Sequence, residues 1–209
     1  MKTLTFAAIR CSLVFTAVTA SLFSVQPAQA GYIVTLQEVG PNVVASGSGA
    51  IDLTGLAFFD QLPDIPSFVS AAFGVIDTGL PANTFRYSGA TGPTSFGSGN
   101  VFLANTSSGD LVGIAGNVGP PPGGIGVVTV PEGYVSGTAL SDSATYSTAS
   151  FAILGLTPGT YVWTWGTGLP NQNFTLQIGG AGVPDSGSTV SLLGCALLGL
   201  AAFRRKLSC

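Results

Sequence analysis

No stretch between Gly31 and Gly182 keeps an apolar period of three or four for the length an amphipathic helix requires. Short runs of β-branched, aromatic and small residues are instead cut apart by Gly, Pro, Asn and Ser. YIVTL (Tyr32 to Leu36) stops before Gly40-Pro41-Asn42, and Val43 to Ala45 and Ala50 to Leu53 flank Gly47-Ser48-Gly49. Further runs are Val101 to Ala104, Leu111 to Ala115, Ile125 to Val130, Phe151 to Leu154, Thr160 to Thr164 and Phe174 to Ile178. Many short strands at this spacing predict an all-β fold: a single antiparallel β-sandwich, Greek-key or jelly-roll-like, over residues 31–182. FVSAAFGVI (Phe68 to Ile76) reads equally as a short helix or a strand.

The clearest strand pair lies late in the chain. After the Pro158-Gly159 turn signal, Thr160 to Gly166 alternates strictly, with Tyr161, Trp163 and Trp165 on one side and Val162 and Thr164 on the other. A Gly168-to-Asn173 turn leads to Phe174, Leu176 and Ile178, again on one face. Such a hairpin has one heavily apolar side. That side is either core, or a stacking platform for sugar rings built from Tyr161, Trp163 and Trp165; the apolar partner strand favours core. An internal echo, GSG-x-[IV]-x-L at Gly47 to Leu53 and Gly97 to Leu103, reads as two turn-into-strand junctions, and GPPPGG (Gly119 to Gly124) as a proline-stiffened surface loop.

Charge and composition narrow the chemistry. Between Gly31 and Gly182 stand eight acids and one base, Arg86, a net charge of −7. Nothing basic is offered to nucleic acid or to anionic headgroups. The chain has no histidine, and its cysteines (Cys11, Cys195, Cys209) all lie in the end segments. The nucleophile systems that need His, the usual zinc and iron ligand sets and disulfide staples are therefore excluded from the middle. No cofactor or metal is expected, and no calcium loop pattern occurs. Carboxylates are the remaining acid–base groups, and a glycan hydrolase needs just two. The best-placed pair is Asp60 and Asp64 in FFDQLPDIP, which reads more simply as two turn residues.

Both ends carry membrane-directed segments. Met1-Lys2 and Arg10 precede an apolar run from Cys11 to Val25, and Ala28-Gln29-Ala30 supplies small residues for signal peptidase. Residues 1–30 thus read as a secretory signal peptide cut before Gly31, with Ala28 and Ala30 as the recognised residues. Cys11 lacks the small residues before it that a lipoprotein site requires. At the other end, Val190 to Phe203 is 14 apolar or small residues, and extension back to Ser186 gives 18. These correspond to about 21 Å and about 27 Å of helix against roughly 30 Å of hydrocarbon. Arg204-Arg205-Lys206 then acts as a basic stop that stays on the cytoplasmic side.

Directly before that run stands Val183-Pro184-Asp185-Ser186-Gly187. Proline restricts its own and the preceding residue, presenting an extended segment to a peptidase. Motif, apolar run and basic stop in this order resemble the PEP-CTERM-type C-terminal sorting signals, in the variant whose motif reads VPDSG. Val130-Pro131-Glu132-Gly133 mimics the commoner motif of that class, but no apolar and basic segments follow it. The tail is also similar to sortase signals, with Val183 and Ser186 where those carry Leu and Thr. A permanent membrane anchor is the plainer alternative. The middle of the chain is similar to exported β-rich proteins bearing such tails, through "GPNVVASGSGAIDLTGL", "TGPTSFGSG", "PEGYVSGTALSDSATY" and "LTPGTYVWTWG".

The resemblance implies five segments: signal peptide 1–30, β-sandwich 31–182, sorting motif 183–187, transmembrane helix 188–203 and basic cytoplasmic tail 204–209. It implies two processing partners, signal peptidase and an exosortase-type membrane peptidase. It implies a precursor held in the inner membrane, then delivery to the cell surface or an extracellular matrix in the company of exopolysaccharide. The expected role is non-enzymatic. A carbohydrate-binding module would need Trp163 or Trp165 exposed, and a hydrolase would need two acids in one cleft.

Overall fold

β-Branched and aromatic residues at alternate positions build most of the strands here because each of those has one face to bury and one to leave in water. The computed structural model describes residues 31–118 and 124–179. In chain order the strands are β1 (Tyr32–Val39), β2 (Asn42–Ala50), β3 (Ala57–Ile65), β4 (Phe68–Ser70), β5 (Val75–Thr78), β6 (Ala82–Ala90) and β7 (Val101–Leu103). They continue as β8 (Thr106–Gly109), β9 (Val112–Val118), β10 (Ile125–Pro131), β11 (Ala139–Tyr146), β12 (Gly159–Thr164) and β13 (Asn173–Ile178). The described residues contain no α-helix, only a 3₁₀ turn at Ala71–Phe73.

Two sheets result, in the orders β12-β13-β1-β2-β11-β8 and β3-β6-β10-β9-β5-β4-β7. They share one core. The first sheet contributes Tyr32, Val34, Leu36, Ala144, Trp163, Phe174 and Leu176, and the second Val69, Ile76, Val112, Ile114, Val128 and Val130, each with no exposed surface. Trp163 stands edge-on to Phe174 at 6.0 Å and to Phe96 at 6.5 Å, so the aromatic side of the late hairpin fills the space between the layers.

Several expectations need correction. The sheets are not wholly antiparallel: β1 runs parallel to β13, with Tyr32 opposite Phe174 and Leu36 opposite Ile178. A parallel pair needs a long crossover, and here the rest of the domain supplies it. Gly47-Ser48-Gly49 is no turn but the middle of β2, whereas Gly97 to Gly99 does lie in the loop before β7. Phe151 to Leu154 is a turn closed by the Leu156 N–H on the Phe151 carbonyl, with Gly155 at φ +60. The ambiguous Phe68-to-Ile76 stretch divides into β4, the 3₁₀ turn and β5, reversed at Gly74 with φ +61. Most of the proposed proline loop, residues 119–123, lies outside the described residues.

Candidate functional site

The residues proposed as a sugar platform are part of the core. Trp163 is 0% and Trp165 4% exposed. Each indole N–H is already used: Trp163 Nε1 donates to the Pro93 carbonyl at 2.9 Å and Trp165 Nε1 to the Asp52 carbonyl at 2.7 Å. Tyr161 is half-buried against Phe96, and its hydroxyl donates to the Thr157 carbonyl. Stacking on a sugar requires an open ring face, which neither tryptophan has.

Asp60 and Asp64 lie in β3 rather than in a turn. Arg86, directly opposite on β6, donates to Asp60 through Nε at 2.6 Å and through its terminal nitrogen at 2.5 Å, with Phe59 lying over the guanidinium at 5.4 Å. This fork holds the Asp60 carboxyl below the usual carboxylate range. Asp64 sits at an irregularity of the β3–β6 pairing with φ +47, its N–H donating to Asn83 Oδ1. The pair is thus one ion-pair partner and one bulge residue, not two carboxyls converging on a cleft.

The more unusual acids are two that residue pattern did not single out. Asp142 on β11 faces the core beside Leu140 and Ala144, and Asp77 on β5 points the opposite way from the core residue Ile76. Asp142 is 8% and Asp77 6% exposed. Tyr32 donates its hydroxyl to Asp142 Oδ2, and the Thr78 hydroxyl approaches the same carboxyl from the facing sheet. Burial pushes Asp142 up to about 6 against the pull of those hydroxyls, and pushes Asp77 up to about 7 against the pull of Thr129. Burial also raises the Tyr32 and Tyr146 hydroxyls, and nearby carboxylates add to the effect. Asp142 Oδ1, Asp77 Oδ1 and the Tyr146 hydroxyl have no hydrogen-bond partner.

Both acids use one structural device. Asp142 is paired across the strands with Gly47, and Asp77 with Gly113, which also stands opposite Thr129. Each carboxyl occupies the space that a side chain on its glycine partner would need. A Cβ on Gly47 would lie 2.5 Å from both Asp142 Oδ1 and the Tyr32 hydroxyl. Gly47→Ala is therefore expected to cost about 1–3 kcal/mol in urea unfolding, with Gly40→Ala, which meets no neighbour, as the comparison for backbone strain alone. Asp77 and Asp142 face opposite sides of the second sheet, so they do not form an acid–base pair around one substrate. Among the described residues no three or more carboxylate, thiol or imidazole groups converge to hold a metal.

The terminal residues read from sequence, Ala28, Ala30, Val183 to Gly187, the 188–203 helix and Arg204 to Lys206, lie outside the described residues. Gly31, the expected first residue after signal removal, is described: it is buried against Asn173 at the start of β13, where a larger side chain would collide. No curated protein and no solved structure matches this chain. A family model does match its C-terminal end: residues 182–207 carry the VPDSG-CTERM motif, a PEP-CTERM-type C-terminal sorting signal.

Proposed function

We propose that this chain is an exported, non-catalytic protein whose C-terminal segment is read by an exosortase-type membrane peptidase, and whose β-rich domain is then delivered to the cell surface or extracellular matrix. The observation that carries the proposal is the sorting motif over 182–207. Ala28 and Ala30 direct the first cut, before Gly31. Val183 to Gly187 present the second. The apolar stretch 188–203 holds the precursor in the bilayer, and Arg204, Arg205 and Lys206 fix its orientation. Partners are therefore signal peptidase, the sorting peptidase and, transiently, lipid. Support from the domain is indirect: its core is complete without a disulfide, its acids are dispersed, and its tryptophans are buried, so none of these features requires a substrate.

The test is the mass of the exported protein in cells with and without the sorting peptidase. In its presence the mature form should lack Cys209. Replacing Val183 to Gly187 by alanines should leave the tail in place and keep the protein in the membrane fraction. Retention of Cys209 in surface material from peptidase-containing cells would refute the proposal in favour of a permanent anchor.

A further inference from the structure

We infer that one end of the sandwich, formed by the β1–β2 turn, the 147–158 loop and Gly179, is the surface turned toward the bilayer during sorting. The inference rests on the sorting function just proposed and adds to it an orientation and a contact face. Its first support is reach. Gly179 is pinned by its N–H to the Leu36 carbonyl at 3.0 Å, and only Gly180, Ala181 and Gly182 separate it from Val183. Four Cα steps span at most about 14 Å. A peptidase that grips the motif at the membrane surface must therefore work within that distance of this end, while β1 alone is about 26 Å long.

The second support is chemistry. Across 37–42, 147–158 and Gly179 the one charged residue is Glu38, and its carboxylate accepts the Phe151 N–H at 2.6 Å. Val39 and Ile153 project there, 53% and 59% exposed. The domain's other solvent-facing acids, Asp52, Asp60, Asp64, Asp110 and Glu132, would be repelled by anionic headgroups; this end meets them with one engaged carboxylate and two aliphatic side chains. The opposite terminus leaves elsewhere. Because β1 and β13 are parallel with Leu36 beside Ile178, Gly31 lies about 17 Å back along the strand.

The experiment follows tail removal in the full chain, by pulse-chase and mass spectrometry, in cells containing the sorting peptidase. Val39→Glu/Ile153→Glu adds two carboxylates to the proposed face. Val135→Glu/Leu169→Glu adds two at equally exposed positions in the 132–138 and 165–172 loops, near Asp52. The first double variant should be processed more slowly by about fivefold per added carboxylate, and the second at the wild-type rate. A spacer of about six Gly and Ser residues between Gly182 and Val183, added to the first variant, should restore processing by freeing the motif from the domain. Protease resistance of the exported domain separates slow sorting from unfolding. Equal rates for the two double variants, or no rescue by the spacer, would overturn the orientation while leaving the sorting function intact. Tail loss that persists when Val183 to Gly187 are replaced by alanines would overturn both.

Discussion

Truncating Trp163 to alanine should cost the domain about 3–5 kcal/mol, a large share of the roughly 5–15 kcal/mol that holds a typical domain. The indole is fully buried where the two sheets meet. It stands edge-on to Phe96 and Phe174, at interplanar angles of 89° and 79°. Its N–H holds the Pro93 carbonyl, which truncation would leave without that donor. Gly92 packs so close to the indole that it has no room for a side chain, so the cavity is walled in part by backbone that has little freedom to collapse. No cysteine lies between residues 31 and 182, and packing loss is not cushioned by a disulfide. A urea titration followed by circular dichroism measures the effect. Val162→Ala, one residue away but 42% exposed, should lower the unfolding free energy by no more than about 0.5 kcal/mol. Similar losses at the two positions would contradict the placement of the hairpin.

That prediction was legible in the sequence because Thr160 to Trp165 and Phe174 to Ile178 each alternate with large side chains at every second position, and burial on one face is what such a pattern specifies. The same holds for Tyr32 to Leu36, whereas Ile125 to Val130 does not alternate and is buried on both faces from Gly126 onward. Polar strands were less legible. ALSDSATY, which became β11, has alternating inward positions filled by Leu140, Asp142, Ala144 and Tyr146, so its apolar signal is broken by an acid. β3 and β8 are mostly exposed, and their pattern carries little hydrophobic contrast. Glycine misled in β2, where Gly47 marks not a turn but the place where a neighbour's carboxylate fills the missing side chain. The two buried acids were unreadable for the same reason: their environment is made by strands far away in the chain, Tyr32 and Asp142 being 110 residues apart. The sorting segment is the reverse case, since a peptidase reads it as local sequence and its three parts must occur in order.

Those buried acids set the direction of the second large effect. The domain should be more stable near pH 4.5 than at pH 8. In the unfolded chain Asp77 and Asp142 titrate near the ordinary 3.8, while in the fold they hold their protons up to about 7 and about 6. Between those limits the folded state binds more protons than the unfolded one, so stability falls as pH rises from about 4 to about 7 and is flat above. At 1.36 kcal/mol per pKa unit, the losses are on the order of 3 kcal/mol for Asp142 and 4 kcal/mol for Asp77. Asp60 acts in another window: its carboxyl is held low by Arg86, so its contribution is present above the ordinary value and is lost only in stronger acid. Urea midpoints should therefore decline from about pH 4 to about pH 7 and level off above. Asp142→Asn cannot ionise, and should roughly halve the slope between about 4 and about 6 while leaving unchanged the part between about 6 and about 7, which belongs to Asp77 alone. A midpoint that rises with pH across this range would mean that the two carboxyls are ionised and well solvated in the fold, contrary to their burial beside Gly47 and Gly113.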